Sequence, residues 1–437
     1  MSSDRASKIK NVIRVASGNF LEMYDFMVFG YYAAAIGRAF FPNKDPFTSL
    51  MSALVTYGAG FVMRPIGAIV LGAYIDRVGR RAGLLLTLGL MSVGTLLITV
   101  LPGYATLGLF APLLILISRL IQGFSAGVEL GGVSVYLSEL ATPGRKGFYV
   151  SWQSASQQVA VMFAALTGVI LNGVLPAESV DHWGWRIPFL LGCLIIPLLF
   201  ALRRSLPETE EFAARVHKPT GPEILRILFQ NSGIVWIGLM MVSMTTVSFY
   251  LITAYTPIFG NQVLHLSPLA SMAVTLCVGL SNFIWLPVMG ALSDRVGRRP
   301  ILVTFTVLAL LTAYPAMWWL TSAPSFSRLL LVLLWLSFIY GSYNGGMVVL
   351  LTEIMPVEVR TAGFSLAYSL ATALLGGFTP AICTYLIHVT SNPAMPGVWM
   401  SFAAALGLVA ALVSVRRTES AENASVRQSA SSKPVWR

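Results

Sequence analysis

Five charged side chains lie deep inside long apolar runs of this 437-residue sequence: Glu22, Asp25, Arg64, Arg119 and Glu129. A charge at the centre of a lipid bilayer costs roughly 2.5–3.5 kcal/mol on insertion scales, so such residues usually have a function. An acid beside a cation in a low dielectric can bind and release a proton, because burial and the cation shift its proton affinity in opposite directions. Guanidinium groups bind carboxylates through paired hydrogen bonds. Together these residues predict proton exchange and recognition of an organic anion.

Asp25 and Arg119 fall at similar depths in two runs that would cross a membrane in opposite directions. Each lies about 11 or 12 residues from the start of its run, or roughly 16 Å at 1.5 Å per residue. An ion pair between them is therefore predicted, and Glu22 and Glu129 share their helical stripes as further candidates for proton exchange. The alternative is a set of static buried charges that only fixes helix packing.

Arg64 directly precedes Pro65 and has no acid near it in its own run. An unpaired buried cation is a suitable anion receptor, and its guanidinium fits a carboxylate. The alternatives are that the side chain reaches the membrane surface, or that it pairs with Glu22 or Asp25.

Uncharged polar side chains inside apolar runs are further candidates for binding oxygen atoms of a substrate. They belong to a dense polar segment at 151–158 and to two runs of the second half, in which no charge lies well inside an apolar run. The candidates are Ser154, Gln157, Gln158, Tyr250, Tyr343 and Asn344. Such residues also hold membrane helices together, so both interpretations stay open.

The elements that carry these residues are apolar runs long enough to be transmembrane helices. The sequence is 56% apolar and only 11% charged, whereas a soluble protein has about 25% charged residues. A helix needs about 20 apolar residues to cross the bilayer. The predicted spans 1 to 12 are 14–37, 50–74, 82–102, 107–137, 148–172, 185–203, 232–260, 268–292, 300–321, 328–352, 360–388 and 396–416.

The spans form two sets of six, separated by a charged linker. The predicted divisions are an N-terminal tail (1–13), a first six-helix bundle (14–203), a linker (204–231), a second bundle (232–416) and a disordered C-terminal tail (417–437). If both termini are cytoplasmic, the cytoplasmic segments hold 23 Lys and Arg and the external ones hold 4. This is the positive-inside distribution, and it explains the net charge of +11 without nucleic acid. No cleavable signal peptide is predicted at the N-terminus.

A ten-residue string occurs twice, at 72–81 and 290–299, with the pattern Gly-x-x-x-Asp-Arg-x-Gly-Arg-Arg. A second pair of similar segments follows each copy. Because both copies follow an even-numbered span, the two halves have the same orientation, and such repeats place a binding site between them near the midplane. The predicted cytoplasmic latch consists of Asp76, Arg80, Glu139, Arg145, Asp294, Arg298, Glu353 and Arg360. The alternative is that these charges only anchor loops.

Other chemistries find no support in the sequence. The cysteines Cys193, Cys277 and Cys383 lie in apolar runs, and the four histidines lie in predicted loops or at helix edges, so we expect no metal site and no disulfide. There is no phosphate-binding loop that would indicate an ATP-driven pump or another enzyme.

The duplicated string, at the joints between spans 2 and 3 and between spans 8 and 9, resembles the loop motif of the major facilitator superfamily. Arg119-Leu-Ile-Gln122-Gly123 resembles a second motif of that superfamily, and its proton symporters pair this arginine with an acid of span 1. The segments Asn19–Phe26, Gly127–Gly132 and Gly184–Phe189 resemble the metabolite:proton symporters, and within that family Gly123–Glu139 and Gly147–Gln158 resemble the citrate–proton and tricarballylate branch. Leu130 departs from the aromatic residue common in the wider family, as it also does in that branch.

The resemblance implies an all-α membrane protein with twelve helices in two parallel six-helix repeats. It implies proton-coupled uptake of a tricarboxylate. The residues implied in proton coupling are Asp25, Arg119, Glu22 and Glu129. Arg64 and Arg119 are implied in substrate binding, together with the polar candidates named above. We expect a monomer in a bacterial inner membrane, with protons as the coupling ion and no cofactor. The alternatives are symport of another organic acid or a betaine, export, or sensing of a metabolite without transport.

Overall fold

A computed structural model describes residues 20–78, 80–127, 129–204, 226, 229–355 and 360–431, with some stretches described by their backbone alone. Helices occupy all twelve predicted positions, and no strand occurs in the described part of the chain. In the first half they are Phe20–Tyr31 and Ala33–Phe40 (span 1), Pro46–Val62 and Arg64–Val78 (span 2), Arg80–Val100 (span 3), Phe110–Ala126 and Glu129–Leu140 (span 4), Lys146–Val174 (span 5) and Arg186–Arg204 (span 6). In the second half they are Ser232–Ile252 (span 7), Pro268–Val296 (span 8), Arg298–Ser322 (span 9), Phe326–Ile354 (span 10), Arg360–Ala371 and Thr379–Thr390 (span 11) and Met395–Ser431 (span 12).

Short elements complete several of the spans. They are Tyr104–Leu107 before span 4, Ala177–Ser179 and the π-helical turn Val180–Gly184 before span 6, Thr256–Ile258 and the π-helical turn Phe259–Val263 after span 7, and the π-helical turn Thr372–Gly376 inside span 11.

The length and apolarity of these helices are those of membrane spans. Among the described residues, eight helices are long and apolar enough to cross a bilayer, and a bent pair at Ala177–Gly184 and Arg186–Ala201 makes a ninth. The apolar segments Leu85–Val100 and Phe110–Ala126, in spans 3 and 4, are shorter. The chain is a multi-pass membrane protein, and the predicted all-helical fold is confirmed.

Local sequence signals start several spans. Asp45 caps span 2 and accepts hydrogen bonds from the backbone of Phe47 and Thr48, with Pro46 in the first turn. Ser267 caps span 8 in the same way before Pro268. A side-chain oxygen satisfies backbone N–H groups that a helix leaves free at its start, and proline is tolerated in the first turn because it has no N–H.

The two halves meet along spans 5 and 8 and along spans 2 and 11. Small residues allow spans 5 and 8 to approach closely, since a Cβ added at Gly290 would lie only 2.5 Å from the carbonyl oxygen of Gly147. At the opposite end of the bundle, the rings of Phe47 in span 2 and His388 in span 11 stack with centroids 3.8 Å apart. We refer to these two ends as the Gly147 end and the His388 end.

Several predicted spans prove to be interrupted or longer than expected. Span 7 leaves the α-helix after Ile252, and span 11 contains the π-helical turn Thr372–Gly376. Span 12 continues as a helix to Ser431, beyond its predicted end at residue 416. The added segment, 417–431, holds three alanines and two glutamates, which favour helix, together with four serines. The N-terminal tail and most of the linker lie outside the described residues.

A buried ion-pair cluster as candidate functional site

Asp25 and Arg119 form a buried ion pair in the first half, with Arg119 Nη1 3.2 Å from Asp25 Oδ2. Gln122, one helical turn after Arg119, accepts a 2.7 Å hydrogen bond from Arg119 Nη1 and donates a 2.6 Å bond to Asp25 Oδ2. Its amide nitrogen also lies 3.2 Å from the hydroxyl oxygen of Thr95 in span 3. The arginine and the glutamine of the Arg-x-x-Gln motif thus hold the same carboxylate oxygen.

Arg64 is also paired with an acid of span 1 and is not the unpaired cation that its own run suggests. Its Nη2 lies 2.7 Å from Glu22 Oε1, and both side chains are at most 7% exposed. The pairing joins two different helices, spans 1 and 2, which the spacing of charges along one run does not reveal. The pairing of Arg64 with Glu22 was among the alternatives left open by the sequence.

Aromatic rings surround both guanidinium groups. The centre of the Arg119 guanidinium lies 4.1 Å from the ring centroid of Phe26 and 4.5 Å from that of Phe29. The Arg64 guanidinium lies 5.0 Å from the same Phe26 ring and 4.6 Å from that of Phe61. Faces of aromatic rings attract cations and exclude water, so the rings hold the two charged groups in place.

The second half closes over this cluster with Tyr250 of span 7. Its ring lies 5.1 Å from the ring of Phe61 and 6.3 Å from that of Tyr57, between centroids. Tyr250 of the second half thereby contacts the aromatic rings that surround the ion pairs of the first half. Both of those rings also lie against a guanidinium group of the cluster.

The two arginines keep hydrogen-bond donors to spare. Arg119 Nε and Nη2 and Arg64 Nε are buried without a hydrogen-bond acceptor among the residues that the structure describes. Buried donors normally find acceptors, and those that do not are often explained by a ligand, water or ion. These donors make the cluster suitable for binding the oxygens of a carboxylate.

The polar segment of span 5 makes hydrogen bonds mainly with its neighbours. Gln158 accepts a 3.2 Å bond from Asn282 of span 8, whose own oxygen accepts from Ser337 of span 10. Ser154 donates to Gln153, and Gln157 is buried. Gln158 therefore joins the two halves at a buried position, which favours the helix-packing alternative for this residue.

The two candidates of span 10 are buried within the second half. The hydroxyl group of Tyr343 donates a 2.9 Å hydrogen bond to the carbonyl oxygen of Met241 in span 7, which ties spans 7 and 10 together. The amide nitrogen of Asn344 lies 3.5 Å from the hydroxyl oxygen of Tyr340, and its oxygen has no hydrogen-bond donor among the described residues. Asn344 thus keeps a free acceptor, whereas the hydroxyl group of Tyr343 is already used.

In the latch of the second half, Asp294 contacts the other half directly. Its carboxylate oxygens accept hydrogen bonds from the backbone of Gly147 at 2.7 Å and Phe148 at 3.0 Å, at the start of span 5. Arg298 lies 2.8 Å from Asp294 and 3.3 Å from Glu353, between charged atoms. These contacts are possible only while the Gly147 end is closed.

The remaining predicted residues are not part of this buried cluster as the structure describes it. The side chains of Asp76, Arg80 and Glu129 are not among those that the structure describes. Glu139 and Arg145 are exposed, and Arg360 is partly buried. No group of three or more potential metal-ligating side chains occurs among the residues that the structure describes.

Among the residues of the cluster that sequence reasoning missed are Phe26 and Thr95. Phe26 contacts both arginines and Thr95 contacts Gln122. An aromatic residue or a threonine inside an apolar helix is too common to carry a signal by itself. The position of Phe26, directly after Asp25, is the feature that could have pointed to it.

Two acids and two cations buried among membrane-spanning helices are typical of a protein that moves ions or charged substrates across the membrane. The sequence comparisons agree with this class. Residues 15–380 match the family model of the Major Facilitator Superfamily, and the chain belongs to that superfamily.

The chain is similar to curated transporters over nearly its whole length. It is 60% identical to a citrate-proton symporter of Klebsiella pneumoniae, over 96% of this chain and 94% of that protein. It is 59% identical to a citrate-proton symporter of Salmonella typhi, over 94% of each. Among solved structures, the xylose transporter XylE from E. coli in a partially occluded inward-open conformation matches with a TM-score of 0.71 at 19% identity, over 92% of this chain and 95% of that chain. That structural likeness supports the fold.

Proposed function

We propose that this protein is a proton-coupled symporter that imports citrate by alternating access. The observation that carries the proposal is the buried Asp25–Arg119 pair with its unfilled guanidinium donors, in a chain 60% identical to a citrate-proton symporter. Tricarballylate, which presents the same three carboxylates, is proposed as a second substrate. The protein is thus a secondary transporter rather than an enzyme.

The ion pair suggests how proton and substrate are coupled. While Asp25 is ionised, it holds Arg119 through the Nη1 contact and through Gln122. A proton on Asp25 removes the negative charge and weakens that hold, which leaves the guanidinium available to a substrate carboxylate. A substrate anion and a proton therefore enter the site together.

The rest of the cluster is proposed to recognise and enclose the substrate. Arg64 provides a second cation, and the polar groups of span 5 lie on the helix that packs against span 8. Tyr250 lies against Phe61 and Tyr57, at the contact between spans 2 and 7. We propose that movement of the second half relative to the first exposes the cluster at one end and then at the other.

The membrane, the oligomeric state and the orientation of the protein are part of the same proposal. We propose an inner-membrane monomer with both termini in the cytoplasm, so that the Gly147 end faces the cytoplasm and the His388 end faces outward. Asp294 would then hold the cytoplasmic end closed through the start of span 5. The coupling ion is the proton.

Uptake of labelled citrate into proteoliposomes tests this function. An inward proton gradient should drive accumulation, a protonophore should abolish it, and unlabelled tricarballylate should compete. Empty liposomes and the Arg119→Ala protein are the controls. Citrate accumulation that is insensitive to the protonophore would refute proton coupling, and absence of citrate uptake by folded protein would refute the substrate.

A further inference from the structure

Span 1 carries two acids, and each is the partner of a different buried arginine. Glu22 pairs with Arg64 of span 2 at 2.7 Å, and Asp25 pairs with Arg119 of span 4 at 3.2 Å. The four side chains are between 0% and 7% exposed. Two similar acid–arginine pairs therefore lie side by side in one buried cluster.

The ring of Phe26 belongs to both pairs. Its centroid lies 5.0 Å from the Arg64 guanidinium and 4.1 Å from the Arg119 guanidinium. Phe61 and Phe29 add a second ring to Arg64 and to Arg119, respectively. Because each cation has its own acid and its own second ring, one pair can open while the other stays closed.

The charge of the cluster limits what can enter it. The charges of these two carboxylates and two guanidinium groups sum to zero, and among the described side chains the other titratable groups near the pairs are uncharged at neutral pH. These are Tyr57, Tyr250, Tyr368, Tyr24 and Cys193. A carboxylate that enters adds a negative charge in a low dielectric, where uncompensated charge is costly. A proton on a displaced internal acid restores neutrality.

We propose that Glu22 and Asp25 are two separate proton-exchange sites, each the internal counter-ion that a substrate carboxylate replaces on its own arginine. Glu22 gives up Arg64 and Asp25 gives up Arg119, and each acid binds one proton as it does so. Binding of one citrate is therefore linked to uptake of two protons. The inference rests on the proposed function, since it takes the substrate to be a polycarboxylate.

The guanidinium N–H groups that lack acceptors support the replacement of each internal acid by a substrate carboxylate. Arg64 Nε and Arg119 Nε and Nη2 lack acceptors among the described residues, so neither guanidinium is saturated by its acid. A guanidinium group has five N–H donors in a planar fork. Each arginine can therefore begin to bind a substrate carboxylate before its internal acid has left.

Linkage between citrate affinity and pH measures the number of protons directly. Citrate binding to purified protein in detergent is measured by calorimetry over the pH range in which citrate is fully ionised and both acids of the free protein are ionised. Each linked proton weakens binding about tenfold per unit rise in pH. We expect about a 100-fold loss per unit for wild type, about tenfold for Glu22→Gln and for Asp25→Asn, and none for the double variant.

Two further variants complete the design. Asp45→Asn removes an exposed acid outside the cluster and should leave the wild-type slope unchanged, and Glu22→Asp restores a carboxylate and should return the slope toward wild type. A wild-type slope of one proton, an unchanged slope in Glu22→Gln, or loss of citrate binding in a folded Glu22→Gln protein would each overturn the inference. Failure of wild type to bind citrate at all would instead refute the proposed function, and with it the inference.

Discussion

Replacement of Asp294 by asparagine should open the Gly147 end of the transporter. The carboxylate of Asp294 accepts two backbone hydrogen bonds, at 2.7 and 3.0 Å, from the start of span 5 in the other half. An asparagine oxygen can keep one of these bonds but loses the charge that favours the positive end of the helix. Hydrogen bonds to charged groups contribute about 1.5–3 kcal/mol.

We estimate the loss at about 2 kcal/mol, the value of one hydrogen bond to a charged group. Because the contact joins the two halves only in the closed form, the whole amount acts on the equilibrium between closed and open forms. At 1.4 kcal/mol per factor of ten, the open population should rise roughly 30-fold.

The accessibility of a cysteine at position 151 measures this opening. Ser151 is 1% exposed and packs against Gly290 in the contact between spans 5 and 8. In a protein whose three native cysteines are replaced by serine, the alkylation rate of Ser151→Cys should rise roughly 30-fold when Asp294→Asn is added, in proportion to the open population.

The exposed ion pair between Arg38 and Asp181 provides the control. Both side chains are more than half exposed, and exposed pairs contribute little, so Asp181→Asn should leave the alkylation rate unchanged. An Asp294→Asn protein that is alkylated at the wild-type rate would refute the assignment of Asp294 as a contact that holds this end closed.

Three further results are expected. Arg64→Ala should abolish citrate binding, while Arg64→Lys should weaken it because an ammonium group lacks the planar fork; unchanged affinity in Arg64→Ala would remove this residue from the site. Gln158→Leu should lower the thermal stability by the value of one buried hydrogen bond to Asn282, about 1 kcal/mol, and an unchanged melting temperature would show that the bond contributes nothing. The hydrogen bond from the Thr48 hydroxyl, aided by backbone N–H groups, lowers the pKa of Asp45 below its ordinary 3.8. The ionised Asp45 cap therefore stabilises the protein fully above about pH 3.8. The difference in melting temperature between wild type and Asp45→Ala should shrink as the pH falls from there through the lowered pKa of Asp45; a difference that grows would contradict the reasoning.

The sequence predicts the membrane fold and the Asp25–Arg119 pair well, for physical reasons. Apolar runs of bilayer length identify spans, and depth along two antiparallel helices can be counted residue by residue. The charge at Asp294 and its place at the end of span 8 also follow from the duplicated motif. These features depend on position along the chain, which the sequence contains.

What the sequence does not predict depends on how the helices tilt, rotate and break. The partner of Arg64 is set by the angle between spans 1 and 2, and the contact of Phe26 with both arginines by the rotation of span 1. The break of span 7 after Ile252 follows no proline or glycine at that position. Whether Gln158 binds substrate or a neighbouring helix depends on span 8, which lies more than 100 residues away.

The central claim is that the carboxyl group of Asp25 couples proton movement to substrate movement, and Asp25→Asn tests it most directly. Proteoliposomes with wild type or Asp25→Asn are compared in two assays on the same preparation: accumulation of labelled citrate driven by a proton gradient, and exchange of labelled for unlabelled citrate without a gradient. The account predicts that the variant keeps exchange and accumulates citrate to a clearly lower level than wild type, because the proton of Asp25 no longer drives uptake and only that of Glu22 remains. Accumulation at the wild-type level would contradict it, and loss of both activities in a folded protein would show that Asp25 is structural.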